Sequence, residues 1–175
     1  MHPISGKEAA ARLTGIISAK FQVHAYSVDL TVAKVYAIDP TGKVDFGGNE
    51  YSPAAHTAQV SHRRRPEDNY EWWDLGRGCY TVEFNEGMKL ADDEIAVLEP
   101  DERLLRAGAS HTTSWVRGQA APLETLLFVG ALNVLVKQNA RIGRLRVFRF
   151  DSGAAHSAAA KPSAKKGEAK KASPR

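Results

Sequence analysis

One cysteine stands among the 175 residues, and long apolar runs are absent. Because Cys79 has no partner, no intramolecular disulfide can form, which is typical of proteins in a reducing cytoplasm. No apolar run is long enough to span a membrane, and residues 1–20 do not contain the apolar core of a signal peptide. We therefore expect a cytoplasmic protein that makes no membrane contact.

Motifs for metal binding and for nucleophilic catalysis are also absent. The six histidines show no metal-ligand spacing, and one cysteine cannot build the His/Cys-x-x-Cys zinc site of cytidine deaminases. The sequence contains no Gly-x-Ser-x-Gly elbow and no Walker loop. We therefore predict no metal held by protein ligands and no serine-type chemistry.

The positive charge is concentrated at one end of the chain. Residues 152–175 contain six basic residues and one acid, so they carry +5, while residues 1–151 carry −1. Residues 154–175 have no aromatic or branched aliphatic side chain and cannot bury enough area to offset their chain entropy. We predict a folded domain over 1–151 and a disordered basic Ala/Lys-rich tail over 152–175.

The folded part is predicted to be mainly β. Ser5–Ile17 favours a short helix, because Ser5 and Glu8 have the spacing of a capping box. Phe21–Ile38 favours a strand, and Gly47–Asn69 an irregular excursion with one weak strand. Short apolar runs separated by Gly and Asn follow at Tyr80–Phe84, Glu94–Leu98, Thr112–Val116, Glu124–Val129, Asn133–Val136 and Arg144–Phe150. This spacing is typical of a β-barrel or sandwich, with at most one helix besides the N-terminal one.

Five segments in order resemble the dUTPase/dCTP-deaminase superfamily, particularly its archaeal dUTPases. They are Tyr26-Ser-Val-Asp-Leu-Thr-Val32, the strand from Trp73 to Glu86, Leu104-Leu-Arg-Ala-Gly108, Thr113-Ser-Trp-Val-Arg-Gly118, and Asn139-Ala-Arg-Ile-Gly-Arg-Leu145. The resemblance covers about residues 5 to 150. It implies a dUTPase-like β domain that forms a homotrimer, with nucleotide sites between subunits.

The resemblance also implies a set of site residues. The superfamily's water-activating glutamate falls in register at Leu126, and Glu124 is two residues earlier on the same strand face. The implied catalytic residues are Asp29 and Glu124, and the implied phosphate- or nucleotide-binding residues are Arg103, Arg106, Gly108, Arg141 and Arg144. Arg141 also lies on a strand that has to seal the barrel. The alternative interpretation is that the arginines are solvated or form interface ion pairs with Asp101 and Glu102.

Several positions depart from the superfamily's pattern. Asp101-Glu-Arg103 stands where the motif has Arg-Ser-Ser, Val116 where it has an acid, and Gln119 where it has an aromatic residue. Arg144 replaces a glutamine. If the carboxylates of Asp101 and Glu102 face the phosphates, dUTP binds weakly, because like charges repel in a partly dry pocket.

Two functions remain open at this point. The first is Mg²⁺-dependent hydrolysis of dUTP to dUMP and pyrophosphate by a carboxylate-activated water. The second is a non-catalytic scaffold that binds nucleic acid or a ribonucleoprotein through residues 161–175 and Arg63–Arg65. The superfamily's chemistry does not follow from the fold alone.

Overall fold

A computed structural model describes residues 1–39 and 41–151, and the predicted disordered tail lies outside the described residues. The described part contains three short helices, namely α1 (Gly6–Ala10), α2 (Ala19–Gln22) and α3 (Glu102–Arg106). It contains twelve strands: β1 (His2–Pro3), β2 (Leu13–Thr14), β3 (Val28–Ile38), β4 (His56–Ala58), β5 (Trp72–Phe84), β6 (Gly87–Lys89), β7 (Glu94–Pro100), β8 (Ala109–His111), β9 (Ser114–Val116), β10 (Gln119–Ala120), β11 (Glu124–Lys137) and β12 (Arg141–Arg149). None of these helices is long and apolar enough to cross a membrane.

Nine strands form one curled antiparallel sheet, whose main path runs β8-β11-β5-β3-β12-β7-β9. Strand β1 pairs with β12, strand β4 pairs with β3, and a second sheet of the described residues has the order β10-β6-β2. The pairings between named strands are antiparallel. The predicted mainly β fold is confirmed.

Strands β3 and β12 lie side by side at the centre of the sheet. In their register Thr31 pairs with Arg141 and Asp29 with Arg144, with an irregularity between Arg141 and Gly143. Apolar side chains on the inner face fill the core, among them Val28, Leu30, Val32, Leu75, Phe84, Leu98, Leu127 and Leu145. This packing fixes the position of the polar side chains that β3 and β12 carry.

The N-terminal helix is shorter than predicted, and the expectation of at most one other helix is wrong. The capping box is present, since Ser5 Oγ accepts from Glu8 N and Glu8 Oε2 accepts from Ser5 N, both at 3.2 Å. The helix nevertheless ends at Ala10, because residues 13–14 pair with β6 as strand β2. Helix α2 occupies the start of the segment that was predicted as a strand. The observed strand, β3, begins only at Val28.

Strand β11 joins two segments that were predicted as separate strands. It pairs with β5 on both sides of a register shift between Val129 and Asn133, so a bulge absorbs the interruption. The predicted strand Thr112–Val116 is present only in its second part, as β9, because β8 ends before it at His111. The predicted weak strand in the excursion is present as β4.

Glu94 connects the N-terminal and C-terminal segments of the domain through Arg12 and Arg149. Its buried carboxylate accepts hydrogen bonds from Arg12 Nη2 and Arg149 Nη2, both at 2.8 Å, and from Ala91 N at 3.1 Å. The hydrogen bond from Arg12 outweighs the effect of burial and, together with Arg149, lowers the pKa of Glu94 to about 2. A carboxylate whose pKa falls on folding stabilises the folded state above its unfolded pKa, and this contribution is lost as the pH falls.

We expect Glu94→Gln to lower the free energy of unfolding by about 2 kcal/mol at pH 7, because it removes the charge that both arginines contact. The difference from the wild type should shrink as the pH falls from about 5 toward 2, where the wild-type carboxylate also becomes neutral. Urea denaturation at several pH values measures it. The control is Glu67→Gln at an exposed position. A loss that does not change with pH would instead indicate a packing defect.

Candidate functional site

Asp29 lies at the centre of a group of cationic side chains, although it is only 1% exposed. Its Oδ1 accepts from Arg144 Nε at 3.2 Å, and its Oδ2 accepts from Arg141 Nη1 at 3.2 Å. His24 Nε2 lies 3.0 Å from the same Oδ2, and Arg103 Nη2 lies 3.8 Å away. Both carboxylate oxygens are therefore engaged.

Asp101 is the second buried carboxylate of this group. It caps helix α3 by accepting from Arg103 N at 2.9 Å, and it also accepts from Arg103 Nε and Arg144 Nη2, both at 2.9 Å. Burial raises the pKa of Asp101, but the hydrogen bonds from Arg103 and the charges of Arg103 and Arg144 outweigh it and hold that pKa below its ordinary value. We call Asp29, Asp101, Arg103, Arg141 and Arg144, with His24, the arginine cluster.

The arginine cluster has an excess of positive charge directed toward solvent. Three guanidiniums face two carboxylates, which leaves one net positive charge when His24 is neutral. The carboxylates are buried, whereas the side chains of Arg103, Arg141 and Arg144 are 56%, 30% and 33% exposed. Guanidiniums held in this way present free N–H groups in a fixed geometry, which suits phosphate or carboxylate.

The backbone beneath the arginine cluster is held by a buried polar network. Gln22 Nε2 donates to the carbonyl oxygen of Asp29 at 3.0 Å and to Glu86 Oε1 at 2.7 Å, and Glu86 also accepts from Thr31 N and Thr31 Oγ1. Burial raises the pKa of Glu86 despite these hydrogen bonds. The network fixes helix α2 against β3 and so positions Asp29.

Two of the predicted phosphate-binding residues are not part of the arginine cluster. Arg106 is exposed and pairs with Glu102 one turn earlier in helix α3. Gly108 follows that helix at φ +87°, and a Cβ there would lie 2.7 Å from the Cβ of Ala131. Its carbonyl oxygen accepts from Gly130 N and Ala131 N. Gly108 therefore has a structural role, the close approach of this turn to β11.

Glu124 lies at the edge of a separate cleft of about 730 Å³. This sheet cleft is formed by the ends of β5 and β11 and by the excursion, with Glu124, Thr125, Leu126, His56, Cys79 and Tyr51 among its lining residues. Glu124 and Leu126 both point outward from β11, while Thr125 between them is buried. In the part of the chain that the structure describes, Thr125 Oγ1 has no hydrogen-bond partner.

Within the chain, Glu124 and the arginine cluster are apart. Glu124 pairs with Glu83 of β5, and Glu83 pairs with Lys34, five residues along β3 from Asp29. None of the residues that line the sheet cleft belongs to the arginine cluster. The chain thus carries the cationic arginine cluster and a cleft with a carboxylate at its edge at different places on the sheet.

Of the two carboxylates expected at the phosphate site, Glu102 is exposed and Asp101 is buried. Its side chain turns inward because it caps helix α3 and pairs with two arginines, and the pairing of arginines with Asp101 and Glu102 is present within the chain. His24 was not predicted as a member of the cluster. Its only signal in the sequence was its position five residues before Asp29, beyond a turn closed by His24 N and Ser27 O.

No protein-family model matches the chain. A protein of Methanosarcina acetivorans named "Probable deoxyuridine 5'-triphosphate nucleotidohydrolase" is 29% identical over 143 residues, which is 80% of each chain. A protein of Archaeoglobus fulgidus with the same name is 28% identical over 138 residues, 78% of this chain and 77% of that one.

Among solved structures, the chain is similar to the 2'-deoxycytidine 5'-triphosphate deaminase of Agrobacterium tumefaciens, with a TM-score of 0.61 and 14% identity over 83% of this chain. It spans about half of that protein, 47% of its length. The fold is thus that of the β domain found in such nucleotide enzymes. The resemblance to the dUTPase/dCTP-deaminase superfamily is confirmed by both the archaeal relatives and the fold.

Proposed function

We propose that this protein is a dUTPase-type hydrolase that converts dUTP to dUMP and pyrophosphate. The observation that carries the proposal is the arginine cluster, in which three partly exposed guanidiniums are fixed by two buried carboxylates. A triphosphate is a ligand whose charge and oxygens match such donors. The names of the archaeal relatives support the choice of dUTP as substrate.

We also propose that the working unit is a homotrimer in which the cluster of one subunit meets the sheet cleft of its neighbour. The separation of the arginine cluster from the sheet cleft within one chain supports this arrangement. Strand β11 also has an outward apolar face, with Leu126, Phe128, Leu132 and Leu135 39–84% exposed. Burial of such a face between copies would stabilise an oligomer. Sedimentation showing only monomer at micromolar concentration would contradict it.

In the proposed reaction a water oxygen attacks the α-phosphorus, the bond to the β-phosphate bridging oxygen breaks, and pyrophosphate leaves. Glu124 takes the proton of the attacking water, since it lies at the edge of the cleft with its carboxylate exposed. Arg103, Arg141 and Arg144 bind the phosphate oxygens and stabilise the negative charge that develops on them. Asp29 orients these arginines, so it is a positioning residue here and does not itself act on water.

A magnesium ion is implied by the superfamily resemblance, but the arginine cluster does not fit it as a ligand set. The oxygens of Asp29 and Asp101 accept hydrogen bonds from guanidiniums. Among residues 1–39 and 41–151 no group of three or more His, Cys, Asp or Glu side chains is arranged to hold a metal. Mg²⁺ is commonly bound through substrate phosphates and water, so an ion in this reaction would arrive with the triphosphate.

Pyrophosphate release from dUTP and dCTP, each with and without Mg²⁺, tests the proposed function. We expect release from dUTP that exceeds release from dCTP and that requires Mg²⁺. If neither dUTP nor dCTP releases pyrophosphate, the proposal is overturned in favour of the non-catalytic scaffold. Release of ammonia from dCTP, measured in the same samples, would assign deaminase chemistry instead.

We expect Asp101→Ser to tighten dUTP binding by about tenfold or more, because it frees Arg103 and Arg144 for the phosphates. Serine keeps an oxygen that can cap helix α3. Calorimetry measures the dissociation constant. The control is Glu102→Ser, which removes an exposed charge of the same helix and should change affinity by no more than about twofold. Equal affinity of wild type and Asp101→Ser would show that the phosphates bind elsewhere.

A further inference from the structure

A second group of cationic and aromatic side chains lies at the opposite end of β5 from the sheet cleft. The loop before β5 folds back on it, since His62 and Trp72 exchange two backbone hydrogen bonds of 2.9 Å. Lys137, at the end of β11, pairs in register with Trp72. A pocket of about 270 Å³ results, lined by Arg64, Arg65, Asp68, Tyr70 and Trp72. We call it the basic-aromatic pocket.

The cations around the basic-aromatic pocket differ from the other arginines in that they are not held in ion pairs within the described part of the chain. Arg63, Arg64, Arg65 and Lys137 form no ion pair there, whereas the arginines of α3 and β12 are all paired with acids. Asp68 is the acid of the pocket, and its Oδ2 accepts from the backbone N of Arg65 at 3.2 Å. Two arginines and one aspartate line the pocket, so its lining carries one net positive charge.

The same cations lie on aromatic rings. The guanidinium carbon of Arg64 is 5.7 Å from the ring centroid of Trp72, and Lys137 Nζ is 3.0 Å from that of Tyr70 and 5.7 Å from that of Trp72. Cation–π contacts hold the positive charges beside the aromatic surface. Tyr70 remains 40% exposed, so part of its ring is accessible to a ligand.

We propose that the basic-aromatic pocket binds single-stranded nucleic acid. Phosphates would contact Arg64, Arg65 and Lys137, and an unpaired base would stack on Tyr70 or on the guanidinium plane of Arg64. Basic grooves with stacking platforms bind single strands without sequence preference. A volume of about 270 Å³ is below the roughly 300–1,000 Å³ of enclosed small-molecule sites. It therefore favours one unit of an extended chain over a whole free ligand.

Aromatic rings beside the charges favour nucleic acid over an acidic polypeptide, which offers carboxylates but no bases to stack. They also favour a single strand over a duplex, whose bases are already stacked. The inference is independent of the proposed hydrolase function, because none of the pocket residues belongs to the arginine cluster or to the sheet cleft.

Fluorescence anisotropy with a labelled oligo(dT) strand tests the proposal, using full-length protein and several salt concentrations. The double variant Arg64→Ala/Arg65→Ala should bind about tenfold or more weakly, and its salt slope should fall by about 1.4 for two lost phosphate contacts. The matched control is Arg77→Ala/Arg117→Ala, which removes two other arginines without ion pairs in the described residues and should stay within about twofold of wild type. Circular dichroism confirms that both variants are folded.

Tyr70→Ala tests stacking apart from charge. It should weaken binding at least about fivefold with an unchanged salt slope, while Tyr70→Phe keeps wild-type affinity. Equal losses in the two arginine pairs would overturn the proposal, because they would indicate attraction by net charge alone. Competition by poly-glutamate as effective as that by unlabelled oligo(dT) would overturn it too and assign the pocket to an acidic polypeptide.

Discussion

Glu124→Gln is expected to lower the turnover of dUTP by at least about a hundredfold while leaving the KM within about threefold of wild type. Glutamine has nearly the same shape as glutamate but cannot accept the proton of the attacking water. Because Glu124 is exposed at the start of β11 and makes no side-chain hydrogen bond among the described residues, the fold should be unaffected. Steady-state kinetics of pyrophosphate release measures both constants.

The control for this variant is Glu50→Gln, which removes an exposed carboxylate from the excursion beside the sheet cleft without changing its lining. It should retain wild-type turnover. If Glu124→Gln is as active as wild type, Glu124 is not the base. Leu126, at the register of the superfamily's glutamate, cannot accept a proton, so another group would have to be found.

Asp29→Asn is expected to lower the free energy of unfolding by about 3 kcal/mol, because it leaves the cationic side chains around a buried position without their shared anion. The new amide NH₂ group would also face guanidinium N–H groups. Urea denaturation measures the change as a lower midpoint with an unchanged m-value.

For comparison, Asp92→Asn changes an exposed carboxylate in the turn before β7 and should alter stability by less than about 0.5 kcal/mol. A loss of less than about 1 kcal/mol in Asp29→Asn would mean that water at the partly exposed arginines compensates for the missing charge.

The mainly β architecture was predictable because short apolar runs and turn residues follow one another at strand spacing along the chain. The boundaries were less predictable, since they depend on partners distant in sequence. The pattern from Ser5 favours helix well beyond Ala10, but Leu13–Thr14 pairs with β6, more than seventy residues away. Similarly, β11 stays one strand across its bulge because β5 is long enough to pair with both halves.

The sequence predicted which residues belong to the candidate site better than it predicted what each of them does. The motif resemblance identified Asp29, Arg103, Arg141 and Arg144, which the register of β3 and β12 and the position of α3 bring together. It did not reveal that Asp101 turns inward, because N-capping depends on where helix α3 begins. The motif resemblance also could not predict the distance between Glu124 and the arginine cluster, since that distance depends on the order of the strands in the sheet.

Asp101 also bears on which anions the arginine cluster can select. A phosphate arriving there has to replace a carboxylate that is tethered by its own backbone and already bound to Arg103 and Arg144. Binding is therefore an exchange. The net binding free energy is the difference between the contacts that the incoming group makes with the arginines and the Asp101 contacts that it displaces. A ligand with several adjacent negative charges displaces the carboxylate more readily than a ligand with few. In the proposed reaction, this resident carboxylate would discriminate between anions by charge density, so that the cluster retains the triphosphate and the monophosphate product leaves.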